Sequence, residues 1–566
     1  VICKGLYQGK EVLGMRVSWD KRYITLAPVC TVFGLAFHLF DPDGLLGDKK
    51  HIGITCALVP YDHPGVDTGR RHFPLNAMFM NGPTRGKEVF MPLDFIIGGP
   101  KMAGQGWRML MECLAAGRSI SLPSSNTGMA QMTARAVGGY ARVRSQFKMA
   151  VGKFEGVEEA LTRIGAYTYM MDAVRKMTAG AVDLGEKPSV VSAIVKYHVT
   201  ERARQSVNDG MDVIGGKGIC LGPQNFLGRA YQQVPVGITV EGANILTRSL
   251  ILFGQGAIRC HPYVLKEMDA ARAGQLDTFD EAFWGHIGYT VGNAARALVM
   301  GLTGSHFVSV PSNIAPETRR YYQRRTRFSA SFAFVSDLSM GSLGGALKRK
   351  EKLSARLGDI LSLMYLASAT LKRFEDDGRP AADAPLMHWA IWDCMYKIQI
   401  AFEGVIDNFP NRLLATLLRR VAVFPLGRPY FVPSDALGHK VASLLISPSP
   451  TRDRLTSNVY LPTDLDEPVA ALEAALAATI EAEPLEAKVR KAIRAGSFKP
   501  GLLGGGGVDA VYDAALAAGV LTPDEFAVLR RRGELRDKVI RVDDFPYDFD
   551  LRAALAGLAE AHQQTT

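Results

Sequence analysis

Residues 238–248 read Ile-Thr-Val-Glu-Gly-Ala-Asn-Ile-Leu-Thr-Arg and place a single carboxylate, Glu241, between a β-branched apolar run and a glycine. A helix-like sequence follows immediately. A carboxylate in apolar surroundings loses hydration, which raises its pKa and makes it a stronger base. Glu241 is therefore the first catalytic candidate. The simpler alternative is that a Glu before a helix complements the positive end of the helix dipole.

The wider neighbourhood favours the catalytic interpretation. Residues 209–220 read Asp-Gly-Met-Asp-Val-Ile-Gly-Gly-Lys-Gly-Ile-Cys and precede Glu241. Together the two stretches resemble the flavin and substrate region of acyl-CoA dehydrogenases, in which a glycine-rich loop precedes the base. Residues 19–28, 81–86 and 254–263 are similar to the large bacterial FadE-type members of that family. The similarity runs from the first residue to the last and includes a long C-terminal extension.

Length and composition set the outer limits. A chain of 566 residues with 47% hydrophobic content can bury substantial cores, and its size predicts two or three domains. The chain opens at Val1 with no basic segment, long apolar run or cleavage site, so it has no signal peptide pattern. The opening reads as the middle of a β hairpin. This predicts a fragment that lacks the family's N-terminal helical domain and its first flavin-contacting segment.

Charge and cysteine usage narrow the partners. The net charge of +10 is spread along the chain without an aromatic-interleaved basic stretch, which argues against nucleic acid. A mildly basic balance suits an anionic ligand such as coenzyme A, or adhesion to an acidic membrane surface. The seven cysteines form no CxxC pair and have no His at metal spacing. We therefore expect reduced structural thiols, no metal, and a cytoplasmic location, with a peripheral position at the inner membrane as the alternative.

The chain divides into three predicted domains. Residues 1–98 alternate β-branched runs with turn clusters such as Asn81-Gly-Pro, and predict a β domain. Residues 99–263 show helical periodicity from Trp107 onward, and residues 264–566 stay helical as an extension. The expected fold class is α+β and mostly α: a small β domain, an acyl-CoA dehydrogenase-type helical bundle, and an all-α C-terminal extension.

Three local patterns complete this organisation. Residues 23–40 carry no charged side chain, but Pro28 and Gly34 favour two buried strands over a membrane-spanning helix. Thr522-Pro-Asp-Glu525 has the form of a capping box with proline at the first helical position. The glycine-rich run at 501–508 lacks a preceding strand and an acidic ribose partner, so it is interpreted as a loop.

The chemistry follows from the resemblance. It implies oxidation of a saturated acyl-CoA to the trans-2-enoyl-CoA, with FAD accepting the electrons. Glu241 would take the α-proton while flavin N5 takes the β-hydride, and the backbone N–H of Glu241 with a ribityl hydroxyl would hold the thioester carbonyl. Some family members carry their base just before an arginine at the start of a long helix. Here Gly117 precedes Arg118, and glycine cannot act as a base, which leaves Glu241 alone in that role.

The resemblance also implies flavin contacts. Tyr23 and Thr25 stand where the family places an aromatic side chain and a hydroxyl against the isoalloxazine ring, although Tyr-Ile-Thr is also an ordinary strand sequence. The remaining expected cofactor residues comprise an Arg-x-x-Phe pair that reaches the pyrophosphate of a neighbouring subunit, two glycines near the adenosine, and two apolar residues that replace hydrogen-bonding ones: Arg144, Phe147, Gly215, Gly216, Ala243 and Ile245.

Five residues are substrate candidates by the same resemblance. Gly242 follows the base, and Arg118 and Arg248 are candidates for coenzyme A or for a structural role. Thr84 and Arg85 are expected to line the thioester end of the substrate site. A purely structural role for both residues in a turn is an equally good interpretation.

The leading functional hypothesis is a dehydrogenase for medium- and long-chain fatty acyl-CoA in the first step of fatty acid β-oxidation. Electrons would pass to an electron-transfer flavoprotein or a membrane acceptor, and a flavin site shared through Arg144 predicts a homo-oligomer. An acyl-CoA oxidase shares the base and the flavin. A non-catalytic acyl-CoA-binding scaffold is the alternative from another class, against which the retained Glu241 argues.

Overall fold

The computed structural model describes residues 1–77, 79–254, 256, 261–498 and 507–547. Strands are concentrated near the N-terminus and helices follow, so the predicted α+β, mostly α fold class is confirmed. The chain forms two compact units built from interleaved segments. The first unit contains residues 1–127, 169–204 and 232–433, and the second contains residues 128–168, 205–231 and 434–566. The three consecutive domains proposed from the sequence stay a prediction.

The chain opens with a β hairpin, as its first residues suggest. The strands are β1 (Ile2–Tyr7), β2 (Lys10–Thr25), β3 (Val32–Phe40), β4 (His51–Pro60), β5 (Val66–Asp67) and β6 (Asn81–Pro92). Gln8 and Gly9 connect β1 and β2 with φ of 51° and 77°, the left-handed values that a tight hairpin turn requires. The sheet order is β1-β2-β6-β5, and β3 pairs with β4 in a second sheet.

The β segment has its own apolar core, because alternate residues of both sheets point inward. Its buried members are Ile2, Met15, Val17, Trp19, Phe33, Leu35, Leu39, Ala57, Val59, Val89, Met91, Leu93 and Ile96. Pro28 lies in a short 3-10 helix between β2 and β3, in agreement with two strands around that proline. The turn expected at Asn81-Gly-Pro is wrong: these residues begin β6, where Asn81 pairs with Thr25.

Helices follow from Gly106. Up to the candidate base they are α1 (Gly106–Ser119), α2 (Ser121–Val143), α3 (Glu155–Asp183), α4 (Ser189–Ile214), α5 (Gly216–Ile219) and α6 (Gly228–Thr239). A small hairpin of β7 (Ser145–Gln146) and β8 (Met149–Ala150) interrupts them. A short helix α7 (Asn244–Leu246) then leads into a π-helix, Thr247–Ile251.

The remainder of the described chain is helical. Its helices are α8 (Val264–Ala273), α9 (Leu276–Leu302), α10 (Arg319–Leu343), α11 (Glu351–Asp376), α12 (Ala384–Asp407), α13 (Arg412–Leu417), α14 (Asp435–Leu445), α15 (Pro450–Leu455), α16 (Pro468–Arg494), α17 (Gly507–Ala517) and α18 (Pro523–Ile540). The capping box at the start of α18 is confirmed: Thr522 Oγ1 accepts from Glu525 N, and Thr522 N donates to the Glu525 carboxylate. Residues 501–506 of the glycine-rich run lie outside the described residues.

Two further findings concern the whole described chain. Six cysteines are free thiols, of which Cys113 and Cys220 are exposed. Within the described ranges, a single helix is nowhere both long and apolar enough to span a membrane. The segments 228–239 and 244–254 meet the length and composition criteria only as a pair, bent by 46°.

Candidate active site

Glu241 lies in a tight turn between α6 and α7. Its φ is 54° and that of Gly242 is 97°, so two consecutive residues have left-handed backbone conformations. Glycine adopts such values freely, but a side-chain-bearing residue does so at a cost of about 1–2 kcal/mol. Contacts from neighbouring elements must therefore hold the turn, and they are found on α1 and α4.

The carboxylate of Glu241 packs against the backbone of α1. A Cβ atom built on Gly117 would lie only 2.4 Å from Glu241 Oε1 and 3.0 Å from Oε2. The other carboxylate oxygen, Oε2, is buried and has no hydrogen-bond partner among the described residues. Gly117 therefore provides the space in which the carboxylate sits, and one of its oxygens is a buried, unpaired acceptor there.

The electrostatics of the turn combine burial with two cations. Burial raises the pKa of Glu241 above its ordinary value, while the charges of Arg118 and Lys196 act in the opposite direction. Arg118 is buried, and its Nε donates to the backbone oxygen of Glu241 at 2.8 Å. Since burial prevails over both cations, the carboxyl group is a stronger base than an exposed glutamate.

A second cation, Lys196, is hydrogen-bonded to residues on both sides of the turn. Lys196 of α4 is fully buried, and its Nζ donates to Ile238 O at 3.1 Å, to Gly242 O at 2.8 Å and to Asn244 Oδ1 at 2.7 Å. Asn244 Nδ2 in turn donates to Thr200 Oγ1 at 2.9 Å and to a carboxylate oxygen of α4 at 2.8 Å. These contacts connect α4 to both sides of Glu241.

Residues after the base differ in their surroundings. Gly242 accepts hydrogen bonds through its carbonyl and contributes backbone alone, while Ala243 and Ile245 are exposed, Ile245 by 82%. Arg248 forms a bidentate ion pair with Asp359 of α11, with Nε at 2.9 and 3.1 Å from the two carboxylate oxygens. Of its two proposed roles, the structural one is observed.

The β-sheet candidates lie on β2 and β6. Tyr23 has φ of 63° at an irregularity of β2 and is 76% exposed, and Thr25 is also exposed. Thr84 is fully buried within β6. Arg85 makes exposed ion pairs across the sheet with acidic residues of β2 and β5. The interpretation of Thr84 and Arg85 as a turn is wrong, because both are in a strand.

The remaining cofactor candidates belong to the second unit. Arg144 connects α2 to the β7–β8 hairpin, and Phe147 at the hairpin tip has φ of 48° and is 91% exposed. Gly215 has φ of 61°, a value that favours glycine, and a Cβ on either Gly215 or Gly216 would meet no atom within 4 Å. These four residues keep their predicted cofactor roles as predictions.

Sequence reasoning missed three residues around the base: Lys196, Asn244 and Asp359. Lys196 carried a usable signal, because it is the single charged residue in the apolar stretch Ser192-Ala-Ile-Val-Lys-Tyr. A buried lysine needs acceptors, but the sequence does not show which carbonyls supply them. Asn244 looks like an ordinary residue at a helix start.

One cluster has the composition of a metal site. His261, His286 and Asp337 place their ligand atoms within 4.8 Å of one another. His261 Nδ1 accepts from Tyr263 N and Val264 N, and its Nε2 lies 3.0 Å from Asp337 Oδ1. These contacts form a hydrogen-bond network within the cluster. The expectation of no metal stays a prediction.

Comparison with known proteins identifies the family. A family model described as "Acyl-CoA dehydrogenase, C-terminal, bacterial type" matches residues 258–545, and one described as "Acyl-CoA dehydrogenase, C-terminal domain" matches residues 104–253. The chain belongs to the acyl-CoA dehydrogenase family. The second match includes Gly117 and Glu241, so the turn described above lies within the residues that this family model matches.

Two curated proteins that match this chain show how far each similarity extends. This chain is 29% identical over 347 residues to "Probable acyl-CoA dehydrogenase FadE10" of Mycobacterium tuberculosis, and the match covers 57% of this chain and 50% of that protein. It is 66% identical over 103 residues to "Protein HemX" of Proteus mirabilis, which covers 18% of this chain and 61% of that protein. The chain thus spans about half the length of its curated acyl-CoA dehydrogenase relative.

A solved structure supports the fold. The crystal structure of an acyl-CoA dehydrogenase complexed with FAD from Bacillus anthracis superposes with a TM-score of 0.57 at 17% sequence identity, covering 77% of this chain and 70% of the other. At 17% identity, this superposition shows that the two proteins share a fold.

Proposed function

We propose that this protein is an FAD-dependent acyl-CoA dehydrogenase that oxidises a saturated acyl-CoA to the trans-2-enoyl-CoA. The observation that carries the proposal is the carboxylate of Glu241, which has a raised pKa and a buried oxygen with no partner among the described residues. A proton on the carbon beside a thioester is weakly acidic, so its removal requires a base that is positioned and poorly hydrated.

Several residues that are expected to contact the flavin are exposed, which supports the proposal of a bound FAD. Tyr23 and Thr25 present an exposed aromatic ring and an exposed hydroxyl, and Ala243 and Ile245 are exposed beside the base. When bound, FAD supplies the acceptor for the hydride that leaves the β-carbon.

The protein's contribution is positioning and proton transfer. Glu241 takes the α-proton, and the electron pair of that C–H bond forms the new double bond as the β-hydrogen leaves as hydride. Burial raises the affinity of Glu241 for the proton, while the charge of Arg118 keeps the carboxylate ionised in a useful pH range. The bond from Arg118 to the backbone of Glu241 limits movement of the turn.

The finer proposals concern the whole protein. The family membership and the resemblance to FadE-type enzymes support medium- or long-chain fatty acyl-CoA as substrate, in the first step of fatty acid β-oxidation. We propose an electron-transfer flavoprotein or a membrane acceptor as partner, and a homo-oligomer as assembly. We also propose a cytoplasmic location, and the net charge of +10 supports peripheral contact with an acidic inner membrane. Fractionation at low and high salt tests this contact, because electrostatic attachment is released by salt.

An anaerobic titration tests the activity. Palmitoyl-CoA added to the purified full-length flavoprotein should bleach the flavin absorption band, and Glu241→Gln should bind the ligand without bleaching. Persistence of the oxidised spectrum in the wild type would contradict the proposal and favour an acyl-CoA-binding scaffold. Oxygen consumption with stoichiometric hydrogen peroxide would instead identify an oxidase.

A further inference from the structure

We propose that Lys196 is a positioning residue for the base, which holds the Glu241 turn from below and sets the upper pH limit of the reaction. The inference rests on the proposed function, since it assigns a role at the same site. It starts from a fully buried ammonium group whose hydrogen-bond partners are all neutral atoms: two backbone carbonyls and one side-chain amide.

The three acceptors bracket the base. Ile238 precedes Glu241 by three residues in α6, and Gly242 follows it directly. One Nζ atom bonded to both carbonyls fixes the distance between the two ends of the turn. A hydrogen bond from a charged donor is about twice as strong as a neutral one, and a left-handed backbone at Glu241 needs such support. Loss of the ammonium group would remove the charged donor from both carbonyls and from the buried Asn244 Oδ1, and Gly242 O would keep only its 3.2 Å bond from Thr247 Oγ1, so the turn would be free to shift.

Asn244 extends this hydrogen-bond network to the start of α7. Its amide oxygen accepts from Lys196, and its amide nitrogen donates to Thr200 and Glu201. Those two residues follow Lys196 by about one turn of α4. The same face of one long helix therefore holds the end of α6, the base-bearing turn and the beginning of α7. Residues 192–203 of that helix are buried or half-buried, so this part of α4 is a rigid support for such a turn.

The charges around Lys196 come from three elements. Arg118 of α1 repels it, while Glu241 in the turn and Glu201 of α4 attract it. Burial and Arg118 together lower the pKa of Lys196 to about 8. Above that pH a neutral amine has two hydrogens for three acceptors, so one bond is lost and the others weaken. Catalysis should therefore decline as Lys196 loses its proton.

The test is Lys196→Met in the full-length flavoprotein, which retains a side chain of similar length without donors. We expect kcat to fall by a factor on the order of 10–100, the consequence of a base misplaced by a fraction of an ångström to 1 Å, with a smaller change in KM. The wild type should show a decline of kcat near pH 8, and that decline should be absent from the variant. Flavin content and melting temperature establish that the variant is folded.

Two further variants make the result decisive. Lys196→Arg keeps a charge that does not titrate below pH 12, so it should regain part of kcat and stay active through pH 9. Lys217→Met is the matched control: Lys217 is also a buried lysine bonded to a backbone carbonyl, Arg541 O at 2.7 Å, in the second unit. It should keep the wild-type pH profile.

The inference fails if Lys196→Met keeps wild-type kcat and the decline near pH 8, or if Lys196→Arg still declines near pH 8. Should the methionine variant not fold, the arginine variant alone decides. A wild-type protein that palmitoyl-CoA does not bleach would refute the proposed function instead, so the two failures are distinguishable.

Discussion

Gly117→Ala is the substitution whose effect the structure specifies best. The added Cβ would lie 2.4 Å from Glu241 Oε1 and 3.0 Å from its Cδ, whereas ordinary contact begins at 3.4 Å. Because Cβ is fixed to the backbone of α1, the carboxylate has to withdraw by about 1 Å. The turn that carries Glu241 is tied to Arg118 and Lys196, so the side chain must rotate away from the space it now occupies.

A displacement of about 1 Å at a reacting group costs on the order of a hundredfold in rate. This corresponds to about 2.7 kcal/mol of transition-state stabilisation. Alanine favours a helix over glycine by about 1 kcal/mol, so the variant should not unfold more easily on account of its backbone. Gly128→Ala in α2 is the matched control: its Cβ would meet no atom within 4 Å, so the same helix gain should come with unchanged activity.

Anaerobic stopped-flow measurement of flavin reduction by palmitoyl-CoA is the assay. It follows the chemical step without the electron acceptor. We expect Gly117→Ala to reduce flavin on the order of a hundred times more slowly than the wild type, with Gly128→Ala indistinguishable from it. A wild-type rate in Gly117→Ala, with the melting temperature unchanged, would show that the position of the Glu241 carboxylate does not govern the reaction.

Three further predictions use the charges of the site. Arg118→Met should move the acid limb of kcat/KM to higher pH, because the charge of Arg118 lowers the pKa of Glu241; an unmoved limb would exclude that coupling. The pKa of Glu241 is raised in the folded protein, so the wild type loses stability as pH rises from 4.5, the ordinary pKa of a glutamate, through the raised pKa. Glu241→Gln should therefore have a higher free energy of unfolding than the wild type at pH 7 but not at pH 4, and urea unfolding at both pH values measures this difference. Asp359→Asn should cost about 1–2 kcal/mol, since it breaks the half-buried pair with Arg248, whereas Asp376→Asn on the same helix breaks an exposed pair and should cost under about 0.5 kcal/mol; equal costs would contradict this reasoning.

Much of the fold could be predicted from local pattern. The β1–β2 hairpin follows from the Gln8-Gly9 turn, and the start of α18 follows from the Thr522 capping box, because both signals act over a few residues. Asn81-Gly-Pro was misleading because pairing with β2 outweighed its turn preference. The interleaving of the two units depends on contacts between distant segments, which local sequence does not encode.

The candidate site likewise contains residues that the sequence could predict and residues that it could not. Glu241 could be proposed from its apolar flanks and from the family resemblance, and its raised pKa agrees with that reasoning. The roles of Gly117 and Lys196 could not, since they arise where α1 and α4 meet a turn more than forty positions further along the chain. For Arg248 the resemblance left two roles open, coenzyme A binding or structure, and the contact with Asp359, which decides for the structural role, depends on a residue more than a hundred positions away.

The central claim is that Glu241 removes the proton beside the thioester. Deuterium exchange tests this directly, because a 3-thia-acyl-CoA cannot be oxidised and yet carries exchangeable α-protons. In D2O, the full-length protein should catalyse uptake of deuterium at the α-carbon, followed by NMR, and Glu241→Gln should reduce the rate by a factor on the order of 100 or more. Equal exchange by the wild type and Glu241→Gln would contradict the account.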